Sequence, residues 1–430
     1  MAEEKIDWSS LWKSEDWWSV WVGFFILLVF GIAGLVKKVP KIGAWTTNPL
    51  VSIKAAEIPL LIYLMVGLVA ITIVGIYAMK LDLKGYVTGF PVIFIIAILS
   101  FVIAANKTVK GYGLEYVLWA LFIGLFISNI LRVPSWLKTA VRTEYFIKIG
   151  LVLLGAEILF HVIMKAGFYG MAQALIMVFC VWYFCYFLAI RAGLTKSFAA
   201  VLSTGVSICG VSAAIASGGA IKADKKEVSY VISIVLVCAI PMLVFMPMIA
   251  KAVAMPDAVA GAWLGGTIDT TGAVVAAGAI FSKKAMEIAS IVKMSQNVLV
   301  GFAAFLLALY WTLRVERKPE ETPKAIEIWY RFPKFIVGFV LASIAFSFIL
   351  IPAYGETAVK AILGITKTFR NWFFCMAFVA IGLDTNFREL LTMGGGRPAI
   401  VFLTAQIFNI FLTLVLAYAL FGGIFFPAPV

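Results

Sequence analysis

The sequence predicts an all-α polytopic membrane protein with about thirteen spans, and three observations predict it. Of 430 residues, 63% are hydrophobic and 13% charged, with a mean hydropathy of +1.04, whereas a soluble domain is roughly half apolar. The apolar residues fall in continuous runs near the ~20 residues a bilayer-crossing helix needs, not in the alternation of a membrane β-barrel. The basic residues behind the +13 net charge lie in short stretches between those runs. Basic residues there set topology, so nucleic acid is not an expected partner.

The runs lie at about 17–36, 57–79, 86–105, 113–131, 143–163, 168–190, 197–222, 227–252, 258–280, 286–313, 333–352, 367–384 and 397–422. Ahead of the first stand Glu3, Glu4, Lys5, Asp7, Lys13, Glu15 and Asp16, which argues against a cleaved signal peptide. Trp8, Trp12, Trp17, Trp18 and Trp21 read as an interfacial aromatic belt. The polar stretch 314–334, with Arg314, Arg317, Lys318, Lys324, Arg331 and Lys334, reads as cytoplasmic. With thirteen spans this puts the N-terminus on the cytoplasmic side of an inner membrane, although Lys37, Lys38, Lys41 and Lys54 vote the other way. Residues 1–112 then hold three spans outside a repeat. Residues 113–252 and 253–430 hold five spans each, and an odd number inverts the second group relative to the first.

Within 197–222 the stretch Ser203-Thr-Gly-Val-Ser-Ile-Cys-Gly-Val-Ser212 is too polar and glycine-rich for an ordinary span. Loose backbone at membrane depth survives only packed in protein or against a wet cavity, so a helix broken at mid-membrane is expected here. Gly205, Val206, Ser207, Ile208, Cys209, Gly210 and Ser212 would offer N–H and hydroxyl donors to a small anion at a half-helix N-terminus. The other reading is a kink satisfied by neighbouring helices. In the second group, 367–384 ends in Ala380-Ile-Gly-Leu-Asp-Thr-Asn386, with Glu389 at capping-box distance. This reads as the second interrupted helix, crossing the first.

Asp269 stands among small and apolar residues in Gly265-Gly-Thr-Ile-Asp-Thr-Thr-Gly-Ala-Val-Val-Ala-Ala-Gly278. An acid at membrane depth marks an ion or proton path by default. Thr267, Thr270 and Thr271 add oxygens for Na⁺ or ordered water, and Asp384 in the second predicted interruption joins them as a coupling-ion residue. The alternative is a solvated cap near the interface. Lys293 precedes Ser295, Gln296 and Asn297. It pairs with Asp269, neutralises the negative half-helix ends, or snorkels to the surface. Glu157 is a further acid inside an apolar run, while Asn129, Gln406 and Asn409 read as helix–helix glue. The five cysteines lie inside runs without disulfide or metal spacing. His161, the sole histidine, is far from Cys209, and no Gly-x-x-x-x-Gly-Lys loop is present. An enzyme built on Cys209 and an ATP-driven pump both rank low.

Gly205-Val-Ser-Ile-Cys-Gly210 with Ala213-Ala214, Thr267 to Gly278, Lys293-Met294 and Ala380 to Asn386 resemble the YeiH-type sulfate exporter family over about residues 115–420. The resemblance implies the cation/proton antiporter and bile-acid symporter fold, with two inverted five-span repeats, crossed discontinuous helices and elevator-like movement. It also implies a homodimer in the lipid bilayer and a small anion, such as sulfate, sulfite or an organosulfonate, as passenger. Many relatives carry a His-Glu pair where Asp269-Thr270 stands here. The expected function is a secondary transporter, an exporter of a small anion, coupled to H⁺ or Na⁺ through Asp269, with no cofactor beyond Na⁺. The alternative is a cation/proton antiporter that carries no anion.

Overall fold

The computed structural model describes residues 9–111, 116–315, 329, 332–386, 396–423, 425 and 427. Among the described residues the regular structure is helical, and one isolated bridge joins Trp45 to Asn106. Among the described residues nine helical runs are long and apolar enough to cross a bilayer, with shorter apolar helices at Tyr116–Leu131 and Thr271–Phe281. The polytopic membrane class expected from composition is therefore the class observed. The run Lys334–Asp384 counts 51 residues and would measure ~76 Å if straight, more than twice the ~30 Å of hydrocarbon. It turns instead at Gly355, whose φ of +75° and ψ of 158° suit a residue without Cβ. The turn leaves segments 334–354 and 356–384. Of the basic stretch 314–334, Arg317, Lys318, Lys324 and Arg331 lie outside the described residues.

The chain forms two compact units. The first comprises Met1–Phe160 and Lys334–Asn386. Its centre is the helix Thr143–Glu157, buried from Tyr145 to Ala156 apart from Lys148. Phe146 meets Phe90 edge-on at 6.0 Å, and Phe94 stacks on Trp372 at 4.7 Å. Lys148 ties the N-terminal helix to this one through Asp16 at 2.8 Å and Glu15 at 3.9 Å, and pairs with Glu144 of its own helix at 3.4 Å. Deeper in, Arg370 Nη1 lies 2.7 Å from Glu157 Oε1, with side chains 4% and 6% exposed. Breaking a buried pair by removing one partner costs about 3–5 kcal/mol, because a lone buried charge remains. Glu157→Gln should therefore destabilise by that amount. Glu157→Gln combined with Arg370→Met should recover most of the loss in the same chemical unfolding measurement.

The second unit comprises His161–Pro333 and Phe387–Val430. Its apolar core includes Met177, Val181, Val201, Leu202, Val231, Val235 and Phe402. Two of its helices are discontinuous. One runs as Lys196–Thr204, widened turns at Gly205–Cys209, then Gly210–Ala220. The other runs as Asp257–Thr267 and Thr271–Phe281, with extended backbone between. An 11-residue half-helix is ~16 Å long, about half the hydrocarbon thickness. The half Asp257–Thr267 lies close against Lys283–Tyr310, since a Cβ at Gly261 or Gly265 would come within 2.7 Å of Ala285 O or Ala289 O.

The expectation for 367–384 needs correcting. This helix stays regular through Gly382 to Asp384 and is capped at Thr385, in the first unit, whereas 205–210 is in the second. Gly382 serves packing, not interruption: a Cβ there would sit 2.5 Å from Leu121 O and 2.7 Å from Gly124 Cα. Glu389 lies outside the described residues. The interruption that shares a unit with 205–210 is 268–270, in the first rather than the fourth member of the second five-span group.

Candidate functional site

The first break arises where Cys209 (φ −148°, ψ 85°) and Gly210 (φ −6°, ψ −84°) leave helical geometry. Ser207 O then accepts from Gln296 Nε2 at 2.9 Å, and Ile208 O accepts from Lys293 Nζ at 2.7 Å. The second break follows Thr267, whose carbonyl accepts from Gln406 Nε2 at 2.9 Å and Asn409 Nδ2 at 3.3 Å. Gln296 Nε2 also lies 3.5 Å from Gly266 O, so one amide spans the two breaks. A second link is Thr271 Oγ1, which accepts from Asn297 Nδ2 at 3.1 Å and lies 4.0 Å from Cys209 Sγ.

The chemistry of the breaks follows from helix polarity. The carbonyl ends of Lys196–Cys209 and Asp257–Thr267 carry partial negative charge, and here they meet three amides and an ammonium. The opposing ends, Gly210–Ala220 and Thr271–Phe281, begin with N–H groups and partial positive charge. Thr270 Oγ1 caps the latter by accepting from Ala273 N at 3.4 Å, while Cys209 provides no side-chain cap to the former. Asp269, 2% exposed, precedes the Thr271 half-helix by two residues, where a carboxylate is favoured.

Several buried polar atoms at the breaks have no protein partner: Ser207 Oγ, Thr267 Oγ1, Asp269 Oδ2, Asn297 Oδ1 and Gln406 Oε1. Each such atom costs about 1–3 kcal/mol, and a concentration of them marks a place kept for something other than packing. Lys293 is fully buried and spends two of its three N–H groups on Ile208 O and on Gln296 Oε1 at 2.9 Å. Snorkelling is thus excluded. Among the described residues no ion pair joins Lys293 to Asp269, so of the roles expected for it, neutralising a half-helix carbonyl end is the one observed.

The break brings together Gly205, Val206, Ser207, Ile208, Cys209 and Gly210, all buried, with Lys293, Thr267, Asp269 and Thr271. Two expected members do not join them. Ser212 is exposed, because two residues past the break the new helix has turned its side chain outward. Asp384 is also exposed and belongs to the first unit, where it accepts from Thr143 Oγ1 at 3.1 Å. Gln296, Gln406 and Asn409 prove to be members of the site. Their only sequence signal was amide side chains inside apolar runs. Among the described residues no group of three His, Cys, Asp or Glu is placed to hold a metal ion, and none of the five cysteines is in a disulfide.

Fold and site together define a polytopic helical membrane protein in which two discontinuous helices meet at a buried, charged and incompletely satisfied break. The chain belongs to the UPF0324 membrane protein family. The family described as conserved hypothetical protein 698 matches residues 88–402. A UPF0324 membrane protein of Rhodopirellula baltica is 43% identical over 402 residues, covering 90% of this chain and 72% of that one. One from Nitratidesulfovibrio vulgaris is 41% identical, covering 86% of this chain and 65% of its own length. One from Nitrosomonas europaea is 32% identical, covering 90% and 91%. No solved structure matches the chain.

Proposed function

We propose that the protein is a secondary transporter of the inner membrane that exports a small anion such as sulfate, sulfite or an organosulfonate. The movement of the anion is coupled to H⁺ or Na⁺ at Asp269 and proceeds by elevator-type alternating access. The observation that carries this reading is the pairing of Lys293 and the start of Gly210–Ala220, which has no side-chain cap, with an acid, Asp269, that has no ion-pair partner among the described residues. A hydrated anion leaving water needs several N–H or hydroxyl donors and a cation in replacement. Ser207, Lys293 and the 210-half N–H groups supply them. For Na⁺, Asp269 Oδ2, Thr267 Oγ1 and Asn297 Oδ1 are the oxygens that would hold it, and hard cations take such oxygen sets.

The proposal extends to thirteen spans. The turn at Gly355 divides one of the nine long runs, and Tyr116–Leu131, Thr143–Glu157 and the broken pair Asp257–Thr267 with Thr271–Phe281 add three. The arrangement 1–112, 113–252 and 253–430 with inverted five-span groups, a cytoplasmic N-terminus and a homodimer belong to the same proposal, together with the YeiH-type resemblance. A cation/proton antiporter is the second reading, favoured by the number of free acceptor oxygens around Asp269.

Proteoliposomes test the choice. Labelled sulfate or sulfite should move in a saturable way that Ser212→Ala leaves within about twofold, since that side chain faces away from the break. Sodium-driven pH change with no anion requirement would instead establish the antiporter.

A further inference from the structure

We infer that the passenger carries both charges itself: a small zwitterion with an ammonium beside a sulfonate or carboxylate. This rests on the secondary-transporter reading above; of the passengers named there it keeps an organic anion that also carries an ammonium, and it sets sulfate and sulfite aside. Donors and acceptors collect at opposite ends of the break. The amide nitrogens of Asn297 and Gln406 are committed to Thr271 Oγ1 and Thr267 O, which fixes their oxygens as acceptors. With Asp269 Oδ2 they make three pure acceptors, each residue 2–3% exposed and each atom without a protein donor. All three sit on, or are anchored to, the 267–271 stretch. An N–H donor, an O–H donor or a cation satisfies such atoms, and a fully ionised inorganic anion offers none of these. An inorganic dianion would leave them unmet and face the Asp269 carboxylate besides.

The other end of the break has the opposite character. Lys293 Nζ, held on Ile208 O at 2.7 Å, keeps one N–H for an acceptor, and the Gly210–Ala220 half-helix begins beside it without a side-chain cap. A bare cation would satisfy the acid end and be repelled here. As ammonium and carboxylate, Lys293 and Asp269 cancel, and among the described residues no ion pair joins them. A ligand whose two charges also cancel therefore enters without adding net charge to a buried place, the expensive alternative in low dielectric. The hydroxyls of Ser207 and Thr267 donate or accept and serve either end.

Thermal unfolding of the purified full chain in Na⁺-free buffer is the test, with 2-aminoethanesulfonate and β-alanine set against ethanesulfonate, propionate and ethylammonium. The zwitterions should stabilise at concentrations at least about tenfold lower than the single-charge analogues. In Asp269→Asn the ratio against ethanesulfonate and propionate should fall to about one, whereas a general loss of fold would weaken all five compounds alike. Ethanesulfonate or propionate matching the zwitterions, or a requirement for Na⁺ before a zwitterion binds, overturns the inference in the wild-type protein alone. If sulfate or sulfite stabilises and no zwitterion does, the inference falls and the anion-transporter reading stands. If none of these compounds binds or is carried, both fall.

Discussion

Lys293→Met is expected to abolish transport and to lower stability by about 3 kcal/mol. Methionine keeps most of the stem's volume, so the loss is chemical rather than steric. The ammonium donates to Ile208 O at 2.7 Å and Gln296 Oε1 at 2.9 Å inside a fully buried pocket. Hydrogen bonds to charged groups are worth about 1.5–3 kcal/mol each, and an orphaned buried acceptor carries its own penalty. Relief from burying a charge offsets part of this. Gln296 would also lose the partner that fixes its oxygen, and with it the orientation in which its nitrogen reaches Ser207 O and Gly266 O. Denaturant unfolding of the purified variant in detergent checks the claim. A midpoint equal to that of the wild type would mean that Lys293 does not hold the break.

Asp269→Asn should give the opposite signature: transport falls by about 100-fold or more while the unfolding midpoint holds or rises. Oδ2 has no protein donor to lose, and the substitution removes a buried charge that the fold has to carry. Transport, in contrast, loses the one acid among the described residues of the break. A charge-assisted contact worth about 3 kcal/mol corresponds to roughly 100-fold. The two variants together separate a residue that holds the site from one that acts within it. Equal destabilisation of both would refute that division.

Much of this was legible in the sequence, and the reasons are specific. The break at 205–210 shows itself because hydroxyls and glycines interrupt an otherwise apolar run. Asp269 and Lys293 stand out because charges at membrane depth need a reason. The second break does not show itself. Ile268-Asp269-Thr270 occupies three residues between apolar halves, too short to dent an average over a span, and no proline marks it. Gly382 misled in the other direction, since a glycine placed for close approach to Leu121 and Gly124 looks the same in sequence as one placed for a break. Gln406 and Asn409 do join helices, as glue residues should, yet their acceptor is Thr267 O at the break itself. Asn129 fits the simpler description, donating to Leu125 O and to Thr385 O in its own unit. Contacts of this kind depend on residues more than a hundred positions apart, which no local pattern encodes.

During synthesis, Glu157 reaches the membrane about 200 residues before its partner Arg370 has been made. At ~5–20 residues per second that interval is roughly 10–40 s. For that time the nascent chain holds Glu157 without the Arg370 guanidinium, while all of 161–333, belonging to the other unit, is translated and inserted. Assembly of the Met1–Phe160 half is therefore left open until the ribosome delivers the guanidinium that closes it.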